Sequence, residues 1–341
     1  MNIARLRATA AVVLAMLAAG VASAQSARVL TRGETRQIVL SAPVPDHPVV
    51  PPIWSGHALL NLIVNETRTP VIHSITADGL TEEVRFSIPD WTTLTVASLW
   101  GGEDGEIVAG GFGVTDQIEL KGFVVRIARD RSQQTVIPVE NLLIHAMTVG
   151  PSGVIWALGS GKDQETGDVH QNILTRLSPT GKVLSSTMLD QPGKPSYTVA
   201  AQTSMRPSAD RVAWLTSGND YVEFGTDGTE MTHIAGPSTT EIQGAANKLA
   251  SMYGMAFALS YANTALISRV VINKVVRGKK PSNPTTLQVW TLDRVKQDWF
   301  LSEPANGAFL PSTNILGFDG DTLMTTEIGR LLVRYALSET K

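Results

Sequence analysis

The residues able to do chemistry are scattered along the chain instead of forming a motif. None of the six histidines pairs with another at i, i+2 or i, i+4, the spacings that would bring two imidazoles to one metal. The zinc-helix, serine-elbow, phosphate-loop and dinucleotide-binding motifs are also missing. We therefore assign no catalytic, cofactor-binding or metal-binding residue from the sequence.

An acidic segment at residues 163–168 is rich in oxygen ligands and superficially similar to a calcium loop. Its glycine comes one position early for an EF-hand loop, and Leu174 stands where the closing bidentate glutamate belongs. A solvated loop tip explains the segment better than a metal site does.

A basic segment and two histidines form the candidate ligand face. Cationic residues cluster in a predicted insertion at 260–285, which would form a basic hairpin that meets an acidic partner or an anionic polymer. A solvated hairpin whose lysines protect a sheet edge is the competing interpretation. His57 and His145 precede or lie in predicted inner strands. The candidate residues are His57, His145, Arg277, Lys279 and Lys280.

The elements that must position these residues are strands. From Trp54 onward, short runs of Val, Ile, Leu, Phe and Thr alternate with Gly, Asp, Asn and Pro. No window sustains the i, i+3, i+4, i+7 pattern of a long helix, and residues 241–251 are predicted to form at most a turn or two. The pattern predicts an all-β protein.

These runs repeat with a period of roughly 50 residues, close to the size of a four-stranded propeller blade. One part of the unit is a strand, a tight turn and a second strand, in which glycine provides the positive φ. Six copies of its first strand occur, at 71–76, 123–128, 173–178, 221–224, 287–292 and 331–336.

The two ends of the chain are predicted to share one sheet. The sixth copy has no partner strand after it, whereas a strand at 35–41 stands alone in a proline-rich lead-in, residues 25–53. Pairing these two strands would close a ring and leave no long sheet edge. The prediction is a six-bladed β-propeller of four-stranded antiparallel blades at 54–341, with a β-sandwich pair or a seven-bladed ring as alternatives.

The pattern resembles the six-bladed propellers that include NHL-repeat proteins. The residues carrying the resemblance are 153–159, GVIWALG, and 177–184, LSPTGKVL. It covers most of the chain as architecture, and it is specific as a motif only in the third unit. Related propellers of the lactonase and strictosidine-synthase-like type are metal-dependent enzymes, so the resemblance also implies a divalent cation in the channel as an alternative.

Loops and tryptophans allow two further expectations. Long insertions are predicted after second strands, at 112–121, 160–171 and 260–285, on the face where loops after fourth strands also emerge. Trp100, Trp156 and Trp214 recur at comparable positions. Packing between blades explains them better than an aromatic wall for a sugar or peptide.

The N-terminal 24 residues are predicted to be a secretory signal peptide. Arg5 and Arg7 precede an apolar run that is too short to span a bilayer, and Ala22 and Ala24 form a small-x-small cleavage site. The chain contains no cysteine, so it has neither a disulfide nor a cysteine lipid anchor. We expect a monomer in the periplasm or the medium.

Function is predicted only by class. The formal charge of −3 gives no electrostatic footprint for nucleic acid. The favoured hypothesis is an exported, non-enzymatic module that holds a protein, peptide or glycan and needs no cofactor. The alternative is a metal-dependent propeller hydrolase, for which the sequence offers no convincing set of axial ligands.

Overall fold

A computed structural model of the chain describes twelve stretches of residues, and the fold is built from these. Within them, no helix is long and apolar enough to cross a membrane. The described stretches are 28–38, 50–102, 104–162, 166–190, 196–238, 257–261, 267–273, 285–293, 296–302, 309–310, 313–327 and 331–339.

The strands form six antiparallel sheets, five of four strands and one of five. Sheet 1 contains β2 (Ile53–Trp54), β3 (Ala58–Val64), β4 (Val71–Thr76) and β5 (Thr81–Arg85). Sheet 2 contains β6 (Trp91–Gly101), β7 (Ile107–Thr115), β8 (Leu120–Ile127) and β9 (Gln134–Val139). Sheet 3 contains β10 (Leu143–Val149), β11 (Ile155–Lys162), β12 (Val169–Leu177) and β13 (Val183–Met188).

The later sheets follow the same order along the chain. Sheet 4 contains β14 (Arg206–Pro207), β15 (Arg211–Leu215), β16 (Tyr221–Gly225) and β17 (Glu230–Ile234). Sheet 5 contains β18 (Phe257–Tyr261), β19 (Ile267–Asn273), β20 (Thr285–Asp293) and β21 (Asp298–Ser302), with β22 (Phe309–Leu310) pairing β20 as a fifth strand. Sheet 6 contains β23 (Thr313–Asp319), β24 (Thr322–Glu327), β25 (Leu331–Glu339) and β1 (Arg28–Gln37).

The N-terminal strand β1 pairs antiparallel with β25, with Thr35 opposite Val333 and Gln37 opposite Leu331. The pairing of the chain ends is therefore confirmed. The predicted strand at 35–41 was placed too late, because the strand begins at Arg28 and ends at Gln37. Its polar sequence carries no hydrophobic alternation that could have marked its start.

Consecutive sheets pack face to face and enclose the core between them. Leu60 and Ile72 of sheet 1 share one buried cluster with Leu94 and Phe123 of sheet 2, and further clusters join sheets 2 and 3 and sheets 3 and 4. First strands contact the first strand of the next sheet, and β23 of sheet 6 contacts β2 of sheet 1. Four-stranded antiparallel blades in a propeller arrangement result, as the sequence predicted.

Tight turns join the strands where the sequence placed them. Gly79, between β4 and β5, and Gly228, between β16 and β17, have φ values of 82° and 80°. A side chain at Gly228 would also bring its Cβ within 2.0 Å of Thr187 Oγ1. At position 228, glycine is required both by the positive φ of the turn and by the close approach of sheet 3.

Each predicted insertion contains the connection after a second strand, but that connection is shorter than predicted. Most of 112–121 belongs to β7 and β8, 160–171 is shortened by β11 and β12, and 260–285 contains the whole of β19. Most of the longest connections between described strands follow fourth strands, at 38–52, 189–205 and 235–256. The predicted helical turn at 241–251 lies outside the described residues.

Candidate functional site

The segment that leads into sheet 4 enters the channel at the centre of the sheets. Its short 3₁₀ turn, Gln202–Ser204, is buried throughout and contacts the first strands β10, β18 and β23. The backbone N–H of Leu99, on the first strand β6, donates to Gln202 Oε1 at 3.3 Å. Protein therefore occupies this part of the axis.

A cavity of about 220 Å³ remains on the side of the turns that join first to second strands. We call it the mouth pocket. The residues in it that could bind a ligand lie on four first strands, close to the turns that follow these strands. They are Trp54 at the end of β2, Trp100 near the end of β6, Arg206 in the two-residue strand β14 and Asp319 at the end of β23.

Among the described residues that line the mouth pocket, Arg206 is the only cation. Its guanidinium carbon lies 5.9 Å from the centre of the Trp100 ring, and Nη1 donates to the carbonyl oxygen of Met205 at 2.7 Å. Among the described residues, no carboxylate forms a salt bridge with it. The side chain keeps some accessible surface, yet burial lowers the pKa of Arg206 to about 10, so it remains charged at neutral pH.

A carboxylate stands at the rim of the same pocket. The indole Nε1–H of Trp54 donates to Asp319 Oδ2 at 3.2 Å, and Asp319 is otherwise exposed. The mouth pocket thus combines a desolvated cation at its wall, two indole rings and an anion at its edge. This arrangement can recognise a small group that is itself both an anion and a hydrogen-bond donor.

A groove of about 730 Å³ continues from the mouth pocket over the turns of sheets 1 to 3, where His57 and Asp104 are exposed. Arg126 forms a salt bridge with Glu106 and donates through Nη1 to the carbonyl oxygen of Gly153 at 3.4 Å. Because Gly153 belongs to sheet 3, this arginine ties two neighbouring sheets together. Arg126 therefore holds the turns of sheets 2 and 3 together where they line the groove.

The residues predicted to share a ligand face are placed apart. His57 lies in the turn between β2 and β3, beside the groove. His145 lies in the first half of β10, at a bulge near the opposite end of the first strands. These two do not meet. The other residues singled out from the sequence lie outside the described part of the chain: Ala22, Ala24, Arg277, Lys279 and Lys280.

His145 sits between sheets 2 and 3. Its Nε2 lies 2.8 Å from Ser160 Oγ, and its ring is 6.1 Å from the Phe112 ring, centre to centre. Burial lowers the pKa of His145, since the charged imidazolium would lose water without gaining a carboxylate. The sequence offered no sign of this environment.

The lowered pKa predicts a pH-dependent stability. The imidazole of His145 binds a proton more readily in the unfolded chain than in the folded one. The contribution of His145 to the free energy of unfolding is therefore fully present above a pH of about 6.5 and decreases as the pH falls. His145 as a residue is more than a third exposed to solvent, which screens the charge, so we expect a small effect. Between about pH 7.5 and about pH 5.5, the melting temperature of the wild type should fall roughly 2 °C more than that of His145→Gln. Parallel curves for the two proteins would disprove the linkage.

Two of the three recurring tryptophans are core residues, as predicted. Trp156 and Trp214 are 1% and 0% exposed and share one cluster between sheets 3 and 4. Trp100 packs against the clusters between sheets 1 and 2 and between sheets 2 and 3, and it is also partly exposed at the mouth pocket. In the described part of the chain, no three His, Cys, Asp or Glu side chains group to hold a metal. Of the acidic segment, residues 163–165 lie outside that part.

Comparisons with known proteins concern only the fold of this chain. No protein-family model matches the chain, and no curated protein matches it. It is similar to solved β-propellers. The WD40 domain of Neurospora crassa Pan2 has 10% identity and a TM-score of 0.42, with 84% of this chain and 74% of that chain covered. The resemblance to NHL-repeat proteins stays a prediction.

Two other solved structures are similar at the same distance. A protein of unknown function from Bacteroides caccae has 11% identity and a TM-score of 0.43, covering 78% of this chain and 81% of that one. The N-terminal domain of Nup159 has 12% identity and a TM-score of 0.39, covering 92% and 96%. Likenesses this distant concern the fold and not the function.

Sequence reasoning missed the central residue of the mouth pocket. Arg206 was not among the predicted site residues, and nothing beside it in the sequence marks a site. A single signal was available: a charged residue on a first strand, where the neighbouring strands crowd around the channel. Trp100 and Asp319 belong to other sheets, so only the fold places them next to Arg206.

Proposed function

We propose that the protein is an exported binding module that holds a protein, peptide or glycan against the turn side of its propeller. The observation that carries this proposal is the mouth pocket, where Arg206 lies against Trp100 without a salt-bridge partner among the described residues. An unpaired, partly desolvated charge is costly in a folded protein unless a ligand compensates it. The adjoining groove offers room for the rest of a partner.

The proposed scaffold is a closed ring of six blades. Contacts between first strands run from β2 through to β23 and back to β2, and β1 adds the outer strand of the last sheet. Such closure holds the ends of the first strands in fixed positions around the axis. We also propose that the module acts as a monomer in the periplasm or the medium, which rests on the predicted signal peptide.

The buried 3₁₀ turn supports binding over the hydrolase alternative. That alternative centres a divalent cation in the channel, held by axial carboxylates and amides. Here the channel contains Gln202, Thr203 and Ser204, which are 6%, 4% and 0% exposed, and Gln202 already accepts a hydrogen bond from Leu99. A cation on the axis would have to displace this turn.

Site-specific photo-crosslinking tests the proposed face. A photoreactive amino acid in place of Asp104, which is exposed beside the groove, should give adducts of discrete mass in the producing cells. The matched control is Met231, 52% exposed on the outer strand β17, which should give none. The absence of adducts at position 104, the same adducts at both positions, or a stoichiometric divalent ion in the purified protein would each contradict the proposal.

A further inference from the structure

We propose that the mouth pocket binds a carboxylate presented by a peptide segment, with Arg206 as the recognising cation and Asp319 as the acceptor of a neighbouring peptide N–H. This proposal deepens the proposed function and rests on it. It names the ligand chemistry that the turn side would select.

Most N–H groups of the Arg206 guanidinium are not used in the described contacts. A guanidinium carries five N–H groups, and the described contacts use one nitrogen, Nη1, which donates to the carbonyl oxygen of Met205. The guanidinium carbon also lies 5.9 Å from the centre of the Trp100 ring, within the range of a cation–π contact. The planar guanidinium of an arginine pairs best with a carboxylate, through two parallel hydrogen bonds.

The size of the pocket limits the guest to a single group. Its volume of about 220 Å³ is below the roughly 300–1,000 Å³ of sites that enclose a whole small molecule. An acidic side chain or a chain terminus fits such a volume, and the body of the guest would continue into the adjoining groove. Trp54 and Phe318 give the pocket apolar walls against which a side-chain stem can pack.

Asp319 favours a peptide over a simple anion. Its carboxylate at the rim repels a free anion such as phosphate, yet one oxygen accepts from Trp54 and the other has capacity for a further donor. A peptide residue offers a carboxylate and a backbone N–H a few ångströms apart. This pairing of charges matches Arg206 and Asp319 together.

The test is a titration of the full chain with capped peptides, followed by the NMR signal of the Trp54 indole N–H. The probes are acetyl-Gly-Glu-Gly-amide, its Gln counterpart, and acetyl-Gly-Gly-Gly with a free carboxylate. We expect saturable binding with a Kd near 1 mM for a carboxylate probe, and at least about tenfold weaker binding for the Gln peptide. The stronger of the two carboxylate probes identifies a side-chain or a terminal source.

Variants separate recognition from stability. Arg206→Gln should weaken carboxylate binding at least about tenfold, and Arg206→Lys should fall between, because it keeps the charge without the fork. The matched control is Arg176→Gln, since Arg176 also lies over a tryptophan, Trp156, at 5.4 Å but away from the pocket. Melting curves of all three variants check folding, and the wild-type comparison of Glu and Gln peptides holds even if one fails to fold.

Several results would overturn the proposal. Equal binding of the Glu and Gln peptides, no saturation of any carboxylate probe at about 10 mM, or tighter binding of galacturonate than of the peptides would each do so. If these fail while crosslinking at position 104 persists, the ligand chemistry is wrong and the binding module stands. If crosslinking also fails, the proposed function is wrong as well.

Discussion

Deletion of strand β1, Arg28–Gln37, should lower the melting temperature by roughly 10 °C or more and make the protein associate with itself. The deletion removes the partner of β25 along its length and leaves β25 as an exposed sheet edge. The deletion also removes the strand that holds Ile38 in place. Ile38 is 2% exposed and packs in the cluster shared with Leu332 and Ile75. Cross-strand pairs at about 0.2–1 kcal/mol each, with the loss of Ile38 packing, amount to roughly 5 kcal/mol.

Scanning calorimetry and size-exclusion chromatography would measure both effects. Thr31→Ala is the matched control, because Thr31 is exposed and its backbone pairing survives the change. A synthetic peptide of residues 28–38, added in trans, should restore part of the lost stability by occupying the free edge. A deletion variant that melts within about 2 °C of the wild type would show that β1 is not part of the sheet.

Trp214→Ala is expected to destabilise the protein by about 3–5 kcal/mol. The Trp214 side chain is fully buried, its ring is stacked 4.8 Å from that of Phe224, and its Nε1–H donates to the carbonyl oxygen of Tyr197 at 2.9 Å. Alanine would leave a cavity between sheets 3 and 4 and an unpaired carbonyl in it.

The contrast with the mouth pocket makes the Trp214 prediction specific. Trp100→Ala removes a ring of the same kind that packs against the core on one side and is partly exposed, so its cost should be smaller, about 1–2 kcal/mol. Urea unfolding followed by circular dichroism gives both values under one set of conditions. Equal losses for the two variants would mean that the tryptophans do not divide between core and pocket.

Strand order and turns were predictable because their signals are local. The strand Val71–Thr76 was predicted with its observed bounds, since a β-rich run ends at Asp78-Gly79 and glycine supplies the positive φ of the turn. The pairing of the chain ends also followed from counting strands. These features depend on residues that are close together in the sequence or on a repeat that can be counted.

The longer strands of sheet 2 were missed because glycines interrupt their apolar runs. Gly111 lies inside β7, where an added Cβ would meet the carbonyl oxygen of Thr95 at 2.0 Å. Glycine is required there by the close approach of β6 at a bulge, and not by a loop. Sequence patterns do not distinguish these two reasons for a glycine.

The candidate site was not predictable from the sequence for a different reason. Arg206, Trp100 and Asp319 are far apart in the chain, and each alone resembles an ordinary surface or core residue. The site exists because the first strands of four sheets bring these residues and Trp54 together around one pocket. The histidines singled out from the sequence show the converse, since His57 and His145 lie at opposite ends of the first strands.

The central claim is that β1 and β25, from the two ends of the chain, share one sheet. The chain has no cysteine, so a designed disulfide reports on this directly. Thr31 and Ala336 are paired and both exposed, whereas Ser338 pairs with Val29 and provides an off-register control. Cysteines at 31 and 336 should form an intramolecular disulfide at least about tenfold faster than cysteines at 31 and 338. Disulfides only between molecules, or equal rates for both pairs, would contradict the shared sheet.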